Sequence, residues 1–269
     1  MAVMGLHHRQ WYLQAMIPNK DRIRQRFSRA ASTYDRQAVI QHQVAERLVT
    51  LLGQYHVLPT SRILEIGSCT GLLTEHLAER FRGLATLYVN DLVPDFESSV
   101  IDRTYHNIEC TFLAGDIESI DIPADLDLVA SSSTFHWMED FPALIKKLHD
   151  HMVPESTLAF SMYSTANLQE LRAITGIGLR YYSLDELKQI VGRYFTLRAG
   201  EEELVTYYFQ NPLDVLNHLR ETGVNSLDGT TWSRSRLNSF IGEYKKRFGD
   251  GQQVHLTYHP TYIIAQKKR

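Results

Sequence analysis

The stretch Arg62–Leu73, RILEIGSCTGLL, constrains this chain more than any other. Ile63, Leu64 and Ile66 make an apolar run of strand length, Gly67 and Gly71 bracket a turn, and Leu72, Leu73 and Leu77 open a stripe at helical spacing. A strand that passes through a glycine turn into a helix begins a doubly wound α/β sheet. The turn sets bare backbone beside any ligand lying over the carboxyl end of that strand. Phosphate fits poorly, because a P-loop needs a lysine and a hydroxyl residue after its last glycine, and Leu72 and Leu73 stand there. The three-glycine spacing of a dinucleotide fold is missing as well. Instead Glu65 lies two residues before Gly67, and the turn reads as a platform for a nucleoside, with a plain β-α turn as the alternative.

The following pattern extends this start into a sheet. Leu84 to Asn90 reads as a second strand ending at Asp91, about 20 residues past the turn, where a doubly wound fold hydrogen-bonds ribose hydroxyls. Ile108 to Ala114 is a third strand closed by Gly115-Asp116-Ile117, and Leu126 to Ser131 a fourth, followed by SSSTFHWMED. A helix over Glu139 to His151 and a strand over Thr157 to Tyr163 come next, and Ser183-x-x-Glu186 forms a capping box. Thr196 to Phe209 is expected as one strand, and Val254 to Gln266 as the last, with Pro260 at a bulge or edge. Helices are expected over Asn211 to Thr222 and Ser233 to Phe248. Ahead of the sheet, Lys20 to Arg36 forms a basic helix, and Asp35 is expected to N-cap a second helix that stops at Gly53. This organisation gives one domain over 20–269, a loose extension over 1–19, and lid or cap elements around 164–182 and 211–248.

At 269 residues, with 43% hydrophobic and 22% charged, the chain is composed to bury a sizeable core. A net charge of −3 supplies no global attraction for nucleic acid or an anionic membrane, so neither is expected as a partner. Two cysteines, Cys69 and Cys110, make no disulfide framework and suit a reducing cytoplasm. No His, Cys, Asp and Glu cluster has metal-ligand spacing, so no metal is expected. The opening residues lack the pattern of a signal peptide, and no run approaches the ~20 apolar residues of a membrane helix.

Glu65-x-Gly67-x-x-x-Gly71 resembles motif I of the class I S-adenosylmethionine (SAM) methyltransferases, with Cys69 where a middle glycine usually stands. RFSRAASTYDRQAVIQ, LEIGSCTGLLT, TFHWMED, PLDVLNHLRETGVN and LTYHPTYIIAQKK together resemble the malonyl-acyl-carrier-protein O-methyltransferases of biotin synthesis, from about Arg22 to Lys268. The departures are Cys69, His136 where the family tends to have glutamine, and the extra N-terminal residues. The resemblance implies a Rossmann-like α/β sheet with helices on both faces, N-terminal helices and a lid insertion. It implies SAM as co-substrate, with Glu65, Gly67, Ser68, Gly71, Asp91, Leu92, Asp116, Ile117 and Ser132 as the residues that bind it. Within that set an acid near the turn faces the methionine ammonium, Asp91 the ribose, Asp116 the adenine amino group, and Ile117 the ring.

The implied reaction moves the SAM methyl to the free carboxylate of a malonyl thioester on acyl carrier protein. A carboxylate is ionised at pH 7, so no general base is needed and the work is alignment in a dry pocket. Tyr34, His136 and Trp137 are the positioning candidates, though each also reads as packing or capping. Arg180, with Tyr181 and Tyr182, is the candidate to hold the carboxylate. Carrier protein is acidic, which gives Lys20 to Arg36 and the Arg234, Arg236, Lys245, Lys246 and Arg247 set a docking role, against a solvated helix face. A methyltransferase of another small carboxylic acid and a non-catalytic SAM-fold module are the alternatives.

Overall fold

The computed structural model describes residues 14–16, 18–56, 58–101, 108–224 and 233–269. Most of the expected N-terminal extension, and 225–232 of the second cap segment, lie outside them. The framework is a seven-stranded sheet. Its parallel part comprises β2 (Arg62–Ile66), β3 (Thr86–Asp91), β4 (Glu109–Ala114), β5 (Leu126–Ser131) and β6 (Met152–Tyr163). On the far side, β8 (Phe195–Glu202) and β11 (Pro260–Lys267) complete the order β4-β3-β2-β5-β6-β11-β8, with β11 antiparallel to both neighbours. Strand order reverses between β2 and β5, and ligands of such sheets bind outside the carboxyl ends at that switch.

Period-two alternation decides which side chains meet which helices. Along β2, Ile63 joins the core of the face covered by α2 (Val39–Tyr55) and α3 (Leu72–Arg80), where Leu48, Leu52 and Leu77 are buried. Leu64 and Ile66 join the opposite core, with Leu144 and Leu148 of α5 (Phe141–His151) and Leu187 of α7 (Leu184–Gly192). Glu65 falls on the α2 and α3 face, 1% exposed, which makes a buried carboxyl part of that layer. The Ser183 capping box forms as expected: Ser183 Oγ accepts from Glu186 N, and Glu186 accepts from Ser183 N at 2.8 Å.

Several local expectations are corrected. α1 (Lys20–Gln37) runs past Asp35, so Asp35 does not cap α2; the break falls at Ala38, and Asp35 instead accepts from Thr70 Oγ1 at 2.5 Å. α2 continues through Gly53 to Tyr55. The strand expected over Thr196 to Phe209 is two: β8 stays in the main sheet while β9 (Val205–Phe209) leaves it to pair with β10 (Val254–Tyr258). Period-two alternation runs through both and carries no mark of the change of sheet. Likewise β10 and β11 are separate strands, and Pro260 heads an interior strand, where a missing N–H is tolerated at the first residue. The irregularity of β11 falls at Ile264 and Ala265 instead.

The segment 164–182 is structured by α6 (Gln169–Thr175) and β7 (Ile177–Leu179). β7 pairs in parallel with β1 (Gln14–Met16), so part of the expected extension is a strand. Two further helices, α8 (Pro212–Glu221) and α9 (Arg234–Phe248), pack beside one another, and α8 also contacts α1. α4 (Glu97–Ile101) completes the elements. Among the described residues no helix is long and apolar enough to cross a membrane.

Candidate active site

The turns that end β2, β3 and β4 are pinned together by two adjacent residues. Asn90 O accepts from both Gly67 N (2.8 Å) and Ser68 N (3.1 Å), and Asn90 Nδ2 donates to Leu113 O and Gly115 O. Asp91 Oδ2 accepts from Cys69 N and Asp91 Oδ1 from Val93 N, each at 2.8 Å, while Asp91 O accepts from Gly115 N. Burial pushes the Asp91 carboxyl up to about 6 even though these backbone donors favour its charged form. Sequence reasoning singled out Asp91 and passed over Asn90, because a strand-end asparagine carries no pattern of its own.

The glycine turn needs its glycines. Gly67 has φ 76°, and a Cβ there would sit 2.1 Å from Thr134 Oγ1. Gly71, at φ 92°, ends the turn and starts α3. Cys69 holds φ 48°, the left-handed region in which a non-glycine residue is strained by about 1–2 kcal/mol. That conformation explains why glycine suits this position.

Above the turns lies a cleft with about 650 Å³ of open space. Its floor comes from Gly67, Asp91, Asp116, Ile117 and Ser132 at the strand ends, and Leu92 lines it too. Its roof is α1, whose Lys20, Ile23, Phe27 and Tyr34 fall on one helical face. Lys20 Nζ bridges Asp116 Oδ1 (3.2 Å) and Glu118 Oε2 (2.6 Å), and Arg24 Nε donates to Leu92 O at 3.2 Å. Trp137 lines the cleft and meets Phe27 edge-on at 6.2 Å. Sequence reasoning put Tyr34 of this helix at the pocket and passed over Lys20, Ile23 and Phe27, since the many arginines dominate its composition.

A smaller cavity of about 320 Å³ shares Tyr34, Gly67, Cys69, Ser132 and Ser133 with the cleft and reaches under α2. Glu65, Ser68 and Gln41 line it, and Glu65 Oε1 and Oε2, Ser68 Oγ and Gln41 Oε1 are all buried without a hydrogen-bond partner. Burial raises the Glu65 carboxyl to about 8, so it is mostly protonated at neutral pH. Buried polar atoms left unpaired cost about 1–3 kcal/mol each, and four around one cavity mark a place where a polar ligand supplies the missing partners. Gln41 has no sequence signal beyond being a polar residue on the buried face of an amphipathic helix.

Of the remaining candidates, His136 is buried with Nδ1 unpartnered, its ring 5.0 Å from Trp137 and 5.1 Å from Tyr163. Desolvation drives it down to about 3, so the imidazole is neutral. Arg180 is exposed, stacked at 5.5 Å over Tyr182, and lines neither cavity. The structure thus brings together every candidate except Arg180 and His136 at the cavity walls or in the turn beneath them, with His136 directly behind Trp137. Among the described residues no group of three or more His, Cys, Asp or Glu is placed to hold a metal.

Residues 64–160 match the family model described as a methyltransferase domain. Over 253 residues the chain is 38% identical to the malonyl-[acyl-carrier protein] O-methyltransferase of Prosthecochloris aestuarii, covering 93% of this chain and 94% of that one. It is 35% identical to the enzyme of the same name from Bacteroides thetaiotaomicron, over 93% and 99%. Among solved structures, a putative methyltransferase from Bacillus halodurans is similar in fold, with a TM-score of 0.60 at 16% identity over 82% of this chain and 99% of that chain. The N-methyltransferase NodS from Bradyrhizobium japonicum, in complex with S-adenosyl-L-homocysteine, has a TM-score of 0.55 at 17% identity over 93% and 100%.

The pinned turns generate a paired prediction. Asn90→Leu removes two donors from buried carbonyls and lowers stability by about 1–3 kcal/mol in urea unfolding. Cys69→Gly exchanges left-handed strain for chain entropy and stays within about 1 kcal/mol of wild type. A neutral Asn90→Leu would show that the three turns do not depend on it.

Proposed function

The chain belongs to the malonyl-[acyl-carrier protein] O-methyltransferase family, and from that premise we propose that it methylates the free carboxylate of a malonyl thioester carried on acyl carrier protein, with SAM as methyl donor. The observation that carries this reading is the pair of connected cavities over the switch point of the sheet. Their polar groups match the three parts of SAM: Glu65, Ser68 and Gln41 for the amino-acid end, Asp91 for the ribose, Asp116 for the adenine amino group. Leu92 and Ile117 supply apolar surface for the ring, and Gly67 and Gly71 shape the turn. Bound SAM supplies a methyl group on a positively charged sulfur.

The chain's residues then have positioning to do and no proton to move. The acceptor carboxylate is already ionised, and the titratable groups around the cleft suit a site without a general base. His136, driven down to about 3, is a weak proton acceptor, and burial holds the Tyr34 hydroxyl far above its ordinary range, so it stays protonated. Ile23, Phe27 and Trp137 wall the cleft with apolar surface, which excludes water and fixes the approach of the acceptor. α1 contributes both its inner wall and, on its outer side, exposed Arg22 and Arg29. This places the basic α1 at the mouth of the cleft, whereas α9 lines neither cavity, and α1 is the surface that would receive an acidic carrier protein.

Mass spectrometry of carrier protein after incubation with SAM tests the reading directly. Malonyl carrier gains one methyl, and acetyl carrier, which lacks the ionised oxygen, gains none; methylation of the acetyl form would overturn the carboxylate assignment. The second cavity is tested with two ligands. Gln41→Leu weakens S-adenosylhomocysteine by about tenfold and leaves 5′-methylthioadenosine, which lacks the amino-acid end, unchanged in calorimetry. An ammonium beside Glu65 favours its charged form, so homocysteine-bearing ligands release protons near pH 7 and bind more tightly as pH rises toward 8. For docking, Arg22→Glu with Arg29→Glu raises KM for the carrier substrate several-fold and spares a small malonyl thioester. Reversal of Lys245 and Lys246 on α9 leaves both substrates unchanged, and added salt weakens only the carrier substrate.

A further inference from the structure

Tyr34 and Ser133 line both cavities beside the glycine turn, the Tyr163 hydroxyl is bonded behind Ser133, and no role assigned above uses the three as a group. Tyr34 lines both cavities from α1. Tyr163, 2% exposed at the end of β6, accepts a hydrogen bond from Ser133 Oγ at 3.4 Å, and Ser133 itself lines both cavities. Tyr34 and Tyr163 are near enough that charge on one would disfavour charge on the other, and burial raises both far above the ordinary range, so each remains a protonated donor. Ser133 is held at φ 54° by bonds from its N–H to Ser161 O (3.0 Å) and Oγ (3.2 Å). A non-glycine residue kept in that conformation beside a cavity points to function rather than packing.

No arginine lines either cavity, and the lysine that does is committed elsewhere. Lys20, the lysine lining the cleft, is bound to Asp116 and Glu118. Arg172 donates to the Thr165 carbonyl and lies 5.4 Å from the Tyr181 ring centre, with its Nε buried and unpartnered but outside both cavities, and Arg180 stacks on Tyr182. His136, packed against Tyr163, is neutral.

Resting on the function proposed above, we infer that the malonyl carboxylate is seated by the uncharged hydroxyls of Tyr34 and Ser133, with the Tyr163 hydroxyl behind Ser133 turned to donate to it, and not by an arginine. The chemistry favours that choice. A lone pair of the carboxylate oxygen forms the new O–CH3 bond while the C–S bond pair returns to sulfur. A carboxylate of charge −1 and a sulfonium of charge +1 become a neutral ester and a neutral thioether, and no proton is transferred. Charge is lost on the way to the transition state. An arginine on the carboxylate would bind the starting charge more strongly than the transition state and so raise the barrier, whereas hydroxyl donors orient the same oxygen and lose less as its charge fades.

The test compares Tyr163→Phe, Ser133→Ala and Tyr34→Phe with Arg172→Gln and Arg180→Gln. Each is read by kcat and KM for a malonyl thioester, S-adenosylhomocysteine affinity and thermal unfolding. Ser133→Ala and Tyr34→Phe are expected to lose about 10–100-fold in kcat/KM with homocysteine-ligand affinity unchanged within about twofold, Tyr163→Phe to lose less because it acts through Ser133, and both arginine variants to keep kcat/KM within about threefold. Should Tyr163→Phe fail to fold, Ser133→Ala reads the same seat without touching the core. Wild-type kcat/KM in all the hydroxyl variants, or a 100-fold loss in either arginine variant, overturns the neutral seat. A wild-type protein that leaves malonyl thioesters unmethylated overturns the functional reading instead.

Discussion

The site depends on the Asn90-Asp91 pair more than on the glycine turn that announces it. Three successive strands end within reach of this pair, and each turn surrenders backbone groups to it: Gly67, Ser68 and Cys69 from β2, Val93 from β3, Leu113 and Gly115 from β4. Two side chains and two carbonyls thereby fix the relative height of the loops that make the cleft floor. The cost is a carboxylate buried among backbone dipoles, and its elevated pKa records how incompletely those donors replace water. Such a carboxylate is a strong acceptor for any hydroxyl that reaches it.

The roof is made by different physics. α1 is polar by composition, yet a single stripe of Ile23, Phe27 and Tyr34 faces the cleft, and its anchorage there is electrostatic and local. Lys20 reaches Asp116 and Glu118, Arg24 reaches the Leu92 carbonyl, Ser28 reaches Asp95 at 2.6 Å, and Asp35 takes the Thr70 hydroxyl. These contacts are part-buried or exposed, so each is worth little alone, and α1 is held as well by Ile23, buried with Trp137 and Leu179, and by its packing on α8. The strands below are bound by ladders and two apolar cores.

Sequence pattern revealed the floor well and the walls poorly, for identifiable reasons. Ile63 to Leu77 declares strand, turn and helix because periodicity changes from two to 3.6 within a few residues, and Asp91 and Asp116 are legible because strand ends in this fold recur at regular intervals. Gln41, Lys20, Ser133 and Tyr163 carry no such mark. Gln41 becomes significant only through its unpaired oxygen, Ser133 through a backbone angle, and Tyr163 through a hydroxyl at the end of a strand that otherwise reads as core. Arg180 was readable as a carboxylate partner only on charge, and charge alone cannot tell a buried arginine from one lying on a surface tyrosine. The splits between β8 and β9 and between β10 and β11 were hidden similarly, since alternation continues through a strand that changes sheets.

Cys69 and His136, the two departures in the motif segments, both fall where the local environment disfavours charge. Burial raises the Cys69 thiol well above its usual range, so it stands in the turn as a small neutral group rather than a thiolate. The His136 imidazole, enclosed by Trp137, Tyr163 and Tyr181, is neutral for the same reason. A neutral imidazole and a glutamine amide each offer both hydrogen-bond donor and acceptor without charge, so histidine at this position keeps an uncharged polar group against Trp137 while changing its shape. The low dielectric that keeps His136 neutral follows from the aromatic packing around the ring.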